Sequence, residues 1–422
     1  MTGPVRSVDV VVVGGGIIGR SVASAAARRG LSVVVVEAGG PTFGTSSANA
    51  GHLVPSHVVP FAAPGMVRAG LRSLAVRDGA FAIAPRAALG LVPWLWRFAR
   101  SSSRANVERG VPALRWLLEA TVVEVARLSE TGVALDDASG GIMQVASSAA
   151  SLRELHHEAE VWGRWGVPTE AFEASALRAS EPMVTERAVG GVLLSGDSRL
   201  DPALLLAAVT AEGDRHGVET VGAMVERIDV GGPGARVHTA AGLVQGAHVV
   251  VAAGVWTHAL CRPLGVRLPV VPARGNSITL PDVTKTNRPM LLVEQRIALS
   301  PLAQGLRLTS GFRLTHTSDR TVNPARSREI IRRAGQVLSL PSDTAPANEW
   351  TGLRPATPDG LPIIGALPGA LAILVAAGHG MLGSSCSLGT GEAVAALLTG
   401  GEPGFDMGVV SPARFIRRGS GR

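Results

Sequence analysis

The sequence predicts a mixed α/β (α+β) fold: a Rossmann-like nucleotide-binding domain, discontinuous along the chain, with an antiparallel-sheet domain inserted into it. Three observations lead there. Residues 8–13 form a short β-branched run, Val-Asp-Val-Val-Val-Val, which reads as a buried parallel strand. Similar valine- and alanine-rich strands return at 248–252 and 372–376, well down the chain. Between the last two, residues 263–320 alternate apolar and polar side chains as antiparallel strands do. With 422 residues the chain exceeds one compact core, and 46% hydrophobic residues allow a large one.

The elements follow in order. After the first strand come the turn Gly14-Gly15-Gly16-Ile17-Ile18-Gly19 and an alanine-rich helix over 21–29, closed by Gly30 at a C-cap position. Residues 31–36 are a second valine strand ending at Glu37, which completes a βαβ unit. Residues 41–60, rich in Ser, Gly, Asn and Pro, read as a loop, and 63–131 as helical. A strand at 140–145, a helix at 151–162 and a strand at 190–194 follow. A helix over 202–216 starts at Pro202 with Asp201 as its cap. The antiparallel strands are expected at 266–271, 277–280, 296–300 and 306–309, then a helix at 327–337. Residues 350–400 read as glycine-rich loops around the 372–376 strand, with a last helix at 391–398. These elements assign 1–60, 146–180, 205–262 and 350–404 to the nucleotide-binding domain. They assign 61–145, 181–204 and 263–349 to the second domain, and 405–422 to a loose C-terminal tail.

Composition removes several classes of function. The net charge is +7, but the arginines are scattered without a strong basic run, so nucleic acid is not expected as a partner. Lys285 is the only lysine, which leaves no P-loop lysine. Cys261 and Cys386 make neither a disulfide framework nor a metal pair, and no His/Cys/Asp cluster has metal spacing, so no metal is expected. No apolar run is long enough to cross a bilayer and no cleavage-site pattern opens the chain, so a cytoplasmic protein in a reducing compartment is expected.

The glycine turn carries the first chemistry. Gly14 permits a tight turn, Gly16 lets backbone approach a pyrophosphate, and Gly19 lets helix and strand pack closely. Ile17 and Ile18 open the helix, whose N-terminus turns its partial positive charge toward phosphate. Glu37 is placed to accept hydrogen bonds from a ribose, and an acid there disfavours a 2′-phosphate. The motif does not choose between FAD and NAD. A second strand running out in Ala253 and Gly254 fits beside the pyrophosphate of a flavin nucleotide, and Val225 is a further candidate for cofactor binding.

Four segments together resemble the D-amino acid dehydrogenase and oxidase (DAO) family of FAD-dependent oxidoreductases, closest to the bacterial D-amino acid dehydrogenases, over about residues 8–400. They are the βαβ fingerprint through Glu37; Thr45-Ser46-Ser47-Ala48-Asn49-Ala50-Gly51 with Pro55 and the 62–65 segment; the run from Trp350 to Gly365 containing Gly352 and Arg354; and Gly378-His379-Gly380-Met381-Leu382-Gly383. The resemblance implies non-covalent FAD, with Ser46, Ser47, Asn49, Ala50 and Gly51 against the flavin and pyrophosphate. It places Gly352 and the backbone amides of Gly378, Gly380, Met381, Leu382 and Gly383 near the ring. It implies that Arg354 holds a substrate carboxylate while a hydride leaves the α-carbon for the flavin, giving an imine, then a 2-oxo acid and ammonia. No obligatory side-chain base follows from that chemistry. The resemblance puts His52 at the flavin edge; His379 reads as polar support for the site or, slightly better, as a packed loop residue. Cys386 reads as a buried free thiol.

The chain has no tyrosine, whereas some relatives place tyrosine hydroxyls beside the substrate. This points to a small or cyclic substrate such as D-proline or hydroxy-D-proline. Two other readings stay open: a sarcosine- or glycine-type amine oxidase, and a flavin-binding subunit without turnover. The electron acceptor is a quinone, oxygen or an electron-transfer protein. Residues 66–104 mix Arg68, Arg72, Arg77, Arg86, Arg97, Arg100 and Arg104 with Leu89, Leu91, Trp94, Leu95, Trp96 and Phe98. This segment suits either peripheral association with the inner face of the plasma membrane or helices packed over the second domain with solvated arginines.

Overall fold

A computed structural model describes residues 6–39, 44–75, 81–84, 87–133, 135, 140–232, 234–281, 283, 286–341 and 343–416. Strand β1 (Arg6–Val13) leads through the glycine turn into helix α1 (Ile17–Arg28) and β2 (Val33–Glu37). After β3 (His52–Leu53) come α2 (Met66–Ala75), β4 (Phe81–Ile83), α3 (Ala88–Ser101) and the long α4 (Arg104–Glu130). Next are β5 (Ile142–Ala146), α5 (Ala149–Arg164), β6 (Thr169–Glu173), α6 (Ala174–Ser180), β7 (Gly190–Leu194), β8 (Ser198–Arg199) and α7 (Pro202–Arg215). Four strands follow, β9 (Glu219–Gly222), β10 (Val225–Gly231), β11 (Gly234–Thr239) and β12 (Gly242–Val251), then the short α8 (Thr257–Cys261). The remaining elements are β13 (Val271–Leu280), β14 (Met290–Leu292), β15 (Ile297–Leu302), β16 (Gly305–Leu314), α9 (Pro324–Ala334), β17 (Asn348–Ala356), β18 (Ile363–Leu367), β19 (Ala370–Ala377) and α10 (Ser387–Leu398).

The strands form two large sheets. In one, β2, β1 and β12 run parallel, with β9 beside β2 and β19 beside the C-terminal half of β12. Its valines alternate between two cores: Val10, Val12, Val35 and Val250 face α1, α4 and α10, while Val11, Val13, Val34 and Val249 face the opposite side. Two-sided burial is why β1 and β2 read as unbroken apolar runs. The second sheet has nine strands in the order β17-β13-β16-β15-β14-β5-β7-β6, with β4 beside β16, and is mostly antiparallel. The mixed α/β architecture is therefore the one expected from the sequence.

Several local expectations are corrected. The 63–131 stretch is not helical throughout, because β4 interrupts it and pairs with β16. Residues 348–356, read as loop and assigned with 350–404 to the nucleotide domain, are strand β17 in the nine-stranded sheet, paired with β13 from Val271↔Ala356 to Thr279↔Asn348. The glycine and proline that suggested a loop are tolerated there: Pro355 lies near the strand end, and Gly352 makes room for the Trp350 ring lying over it. Strand β6, placed with 146–180 in the nucleotide domain, also pairs into the nine-stranded sheet. Helix α4, placed with 61–145 in the second domain, instead packs Leu114, Leu117 and Leu118 into the core beneath β1. Its approach to α10 is close enough that a Cβ on Gly389 would meet the Leu117 backbone, and Thr121 Oγ1 accepts from the Gly389 N–H. No strand covers 266–270; the strand starts at Val271. The 405–416 part of the supposed tail is packed: Val410 is fully buried, its carbonyl accepts from Ile364, and Arg414 bridges to Asp359 at 2.7 Å. The Pro202 helix is as expected, with Asp201 accepting from Ala203 and Leu204.

Candidate active site

One cavity of about 890 Å³ lies where the C-terminal ends of β1 and β12 meet the underside of the nine-stranded sheet. Open parallel sheets bind ligands at that position.

The glycine turn forms one end. Gly14 has φ +109°, and a Cβ there would stand 2.6 Å from the Ala252 carbonyl oxygen at the end of β12. Gly16 is the N-cap of α1 with no side-chain cap, so the helix start depends on what comes to it from the cavity and on Ser46. Ser46 Oγ accepts from the Ile17 N–H at 2.9 Å, and Glu37 accepts from Gly15 and, at 2.9 Å, from Gly39. Gly14, Gly16, Ile17, Ile18 and Glu37 all line the cavity, as do Val225, Ala253 and Gly254. Gly19 does not: it packs against the Gly14 carbonyl, the close helix–strand contact expected of the third glycine.

The loop 44–52 and the turn 378–384 cover the middle. Ser46, Asn49, Ala50, His52, His379, Gly380, Met381, Leu382 and Gly383 line the cavity. Ser47, Gly51, Gly352 and Gly378 are not on its wall. Gly51 faces the Leu200 carbonyl, Gly352 carries Trp350, and Gly378 faces Thr357 and Ile363. Asn49 is spent inside the protein, donating to the Ser46 carbonyl and Ser384 Oγ, both at 3.0 Å, and accepting from Gly51 at 2.8 Å. The amides of Gly380 and Leu382 are likewise donated, to the Pro355 and His379 carbonyls. His379 bonds through Nε2 to Thr390 Oγ1 at 2.9 Å, and burial pulls its pKa down to about 3. His52 Nε2 meets the Leu299 carbonyl at 3.0 Å, and burial brings it to about 4. Both rings are therefore neutral at physiological pH.

Arg354 occupies the far wall. Its Nη1 donates to the Gly311 carbonyl at 2.7 Å, and desolvation lowers its pKa to about 10, with no carboxylate among the described residues acting against the shift. Gly275 on the adjoining strand is bare where a Cβ would run into the guanidinium. Thr45 ties the loop to this strand, donating to the Leu353 carbonyl at 2.9 Å and accepting from its N–H at 3.1 Å.

Three wall residues escaped the sequence reading. Thr45 was visible only as part of a motif. His57 stands five residues past His52 in the same segment. Arg296 had no local signal; it adopts φ 53°, and among the described residues it is the non-glycine residue with positive φ. Cys261 and Cys386 are buried thiols pushed up to about 12 by burial. Among the described residues no cluster of three or more His, Cys, Asp or Glu could hold a metal ion, and no helix is long and apolar enough to cross a membrane. Arg77, Arg86 and Lys285 lie outside the described residues.

The family model of FAD-dependent oxidoreductases (DAO) matches residues 9–397. The chain belongs to that family. A D-amino acid dehydrogenase of Rhizorhabdus wittichii is 33% identical, covering 96% of this chain and 100% of the relative. One from Cereibacter sphaeroides is 31% identical over 96% of this chain and 95% of its own. Among solved structures, glycine oxidase from Geobacillus kaustophilus superposes with a TM-score of 0.77 at 25% identity, covering 97% of this chain and 100% of the other. L-proline dehydrogenase from P. horikoshii shares the fold, with a TM-score of 0.74 at 19% identity over 98% of both chains. The FAD family fits the cavity observed here. A helix N-terminus whose N-cap residue is a bare glycine, small residues at two strand ends and an acid at the end of β2 are what a dinucleotide requires of this DAO-family protein.

Proposed function

We propose that this flavoprotein oxidises D-amino acids, holding the substrate carboxylate on Arg354 and releasing an imine that water converts to a 2-oxo acid and ammonia. One observation carries the reading. Arg354 is a half-buried guanidinium, without an acidic partner among the described residues, on the wall of the cavity into which the glycine turn opens. A charge so placed is costly until an anion joins it. With one N–H on Gly311, the guanidinium keeps others for a carboxylate, and two parallel bonds fix the direction of the α-hydrogen. The names of the curated relatives agree.

FAD, when bound, supplies the two-electron acceptor. The chain's own residues position it: Glu37 and Val225 at the adenosine end, the Gly14–Ile18 backbone at the diphosphate, and Ser46, Ala50, Met381 and Gly383 around the ring. The absence of tyrosine leaves the substrate pocket to Phe312, Leu291 and Val293, which favours a small or cyclic side chain such as that of D-proline or hydroxy-D-proline. A panel of D-alanine, D-proline, glycine and sarcosine, read in parallel by peroxide release and dye reduction, tests this. Turnover of glycine or sarcosine alone would make it an amine oxidase. A flavin that no substrate bleaches anaerobically would make it a non-catalytic subunit.

A second observation supports peripheral contact with the inner face of the plasma membrane, where a quinone would take the electrons. On α3, Leu91, Trp94 and Phe98 are buried, while Leu89 (89% exposed), Val92 (55%) and Trp96 (59%) form an outer stripe. Arg100 lies 4.9 Å over the Trp96 ring. Cosedimentation with anionic vesicles, lost in a Leu89→Glu/Trp96→Glu double variant, checks it.

A further inference from the structure

Between β3 and the cavity lies a polar chain that anchoring a carboxylate does not require. Asp197, in the turn between β7 and β8, is almost fully buried. Its Oδ1 accepts the Ser56 N–H at 3.0 Å and its Oδ2 accepts the Ser56 hydroxyl at 2.7 Å. Ser56 Oγ also lies 3.0 Å from His57 Nδ1. A hydroxyl has one hydrogen, and Ser56 gives it to Asp197, so it accepts from His57 Nδ1–H. That fixes the imidazole tautomer and leaves Nε2 with its lone pair. His57 is an exposed residue, and it lines the cavity.

The proposed reaction has a use for such a group. An α-amino acid arrives with an ammonium, and hydride cannot leave the α-carbon until the nitrogen has its lone pair. We propose that His57 takes that proton: an ammonium N–H bond breaks, its electron pair stays on nitrogen, and the proton joins His57 Nε2. Ser56 and the Asp197 carboxylate hold the resulting imidazolium through Nδ1–H. Ser56 and Asp197 are positioning residues in this arrangement. The inference rests on the D-amino acid reading above.

The resting protonation states leave the acceptor nitrogen free. Desolvation by the surrounding cavity wall and the neighbouring His52 lower His57 to about 4, so it waits unprotonated at neutral pH. Burial lifts the Asp197 carboxyl to about 6, against the pull of its Ser56 bonds, so it is ionised there. The other charged groups among the residues lining the cavity are Glu37, Glu158 of α5, Glu226, Arg296 and Arg354. His52 and His379 have a ring nitrogen on Leu299 and Thr390, and neither has a carboxylate behind it.

The test uses the full FAD-loaded chain, a D-amino acid that the wild type oxidises, and a saturating dye. His57→Phe should lower kcat/KM about 100-fold at pH 7, the usual size of a general-base effect. It should recover most of that above the pKa of the free ammonium, where substrate arrives already neutral. Inhibition by an amine-free carboxylate should stay unchanged, since Arg354 is intact. Ser56→Ala, which leaves the ring in place, should shift the acid limb in the same direction by less. A loss equal at all pH values, a loss shared by carboxylate inhibition, or an unaltered profile would each overturn the role of His57. A wild type that oxidises no D-amino acid would instead overturn the function on which it rests.

Discussion

At the Gly14 end of the cavity the protein contributes backbone, whereas at the Arg354 end it contributes side chains brought in from separate segments. The first end is made by residues 14–19 and 37, within one βαβ unit, and its specificity lies in what is missing: Cβ atoms that would strike Ala252 or the Gly14 carbonyl. The second end draws on 275, 296–311 and 354, which meet because β17, β13, β16 and β15 lie side by side, and on 45–57, tied to β17 through Thr45. A backbone cradle tolerates no substitution but asks for no partner. A side-chain site tolerates graded change, and each residue in it depends on another.

Substitutions should expose this difference, the largest at the cradle. Gly14→Val forces a β-branched residue into φ +109° against Ala252. The purified variant should lack the visible flavin band altogether, and a fully loaded yellow Gly14→Val would remove the distinction. Gly16→Val should do the same with less loss of fold. Arg354→Leu should keep its FAD and lose about 1,000-fold in kcat/KM, from about 4 kcal/mol for stripping one partner from a desolvated charge pair. Unchanged steady-state kinetics would release Arg354 from the substrate. Gly275→Ala touches neither ligand but displaces the Arg354 guanidinium, so KM should rise roughly tenfold, in line with overpacking costs of about 1–3 kcal/mol. Arg296→Gly relieves a left-handed backbone and should raise the unfolding free energy by about 1 kcal/mol in a denaturant titration. The smallest effect concerns pH. With His52 at about 4, His379 at about 3 and Arg354 charged up to about 10, a carboxylate inhibitor should bind equally from pH 6 to 8.5 and weaken only as Arg354 loses its proton near 10. A Kd that changes severalfold near pH 6.5 would show another titrating group at the anion site.

The same contrast explains what the sequence revealed. Val10–Val13, Gly14–Gly19 and Glu37 are legible because the constraint is local: period, turn and strand end all fall within thirty residues. Strand β17 is illegible by local rules, because Gly352 and Pro355 signal a loop, and only pairing along β13 makes them a strand. Arg354 was found through a family motif, not through any property of its neighbours in the chain. Asn49 was found too; it lines the cavity, with its side-chain amide bonded to Ser46, Ser384 and Gly51. His57 was missed because its meaning lies in Asp197, 140 positions away in sequence.

Thr45 grips both polar atoms of the Leu353 peptide, one residue before Arg354, from the segment that also brings Ser46 to the start of α1. Loading the prosthetic group and clasping the anion are thus two loads on a single short tether. Thermodynamic reciprocity then demands that an anion which firms the tether slow flavin dissociation by the same factor by which flavin raises the anion's affinity. Apoprotein and holoprotein would accordingly differ in their hold on a simple carboxylate.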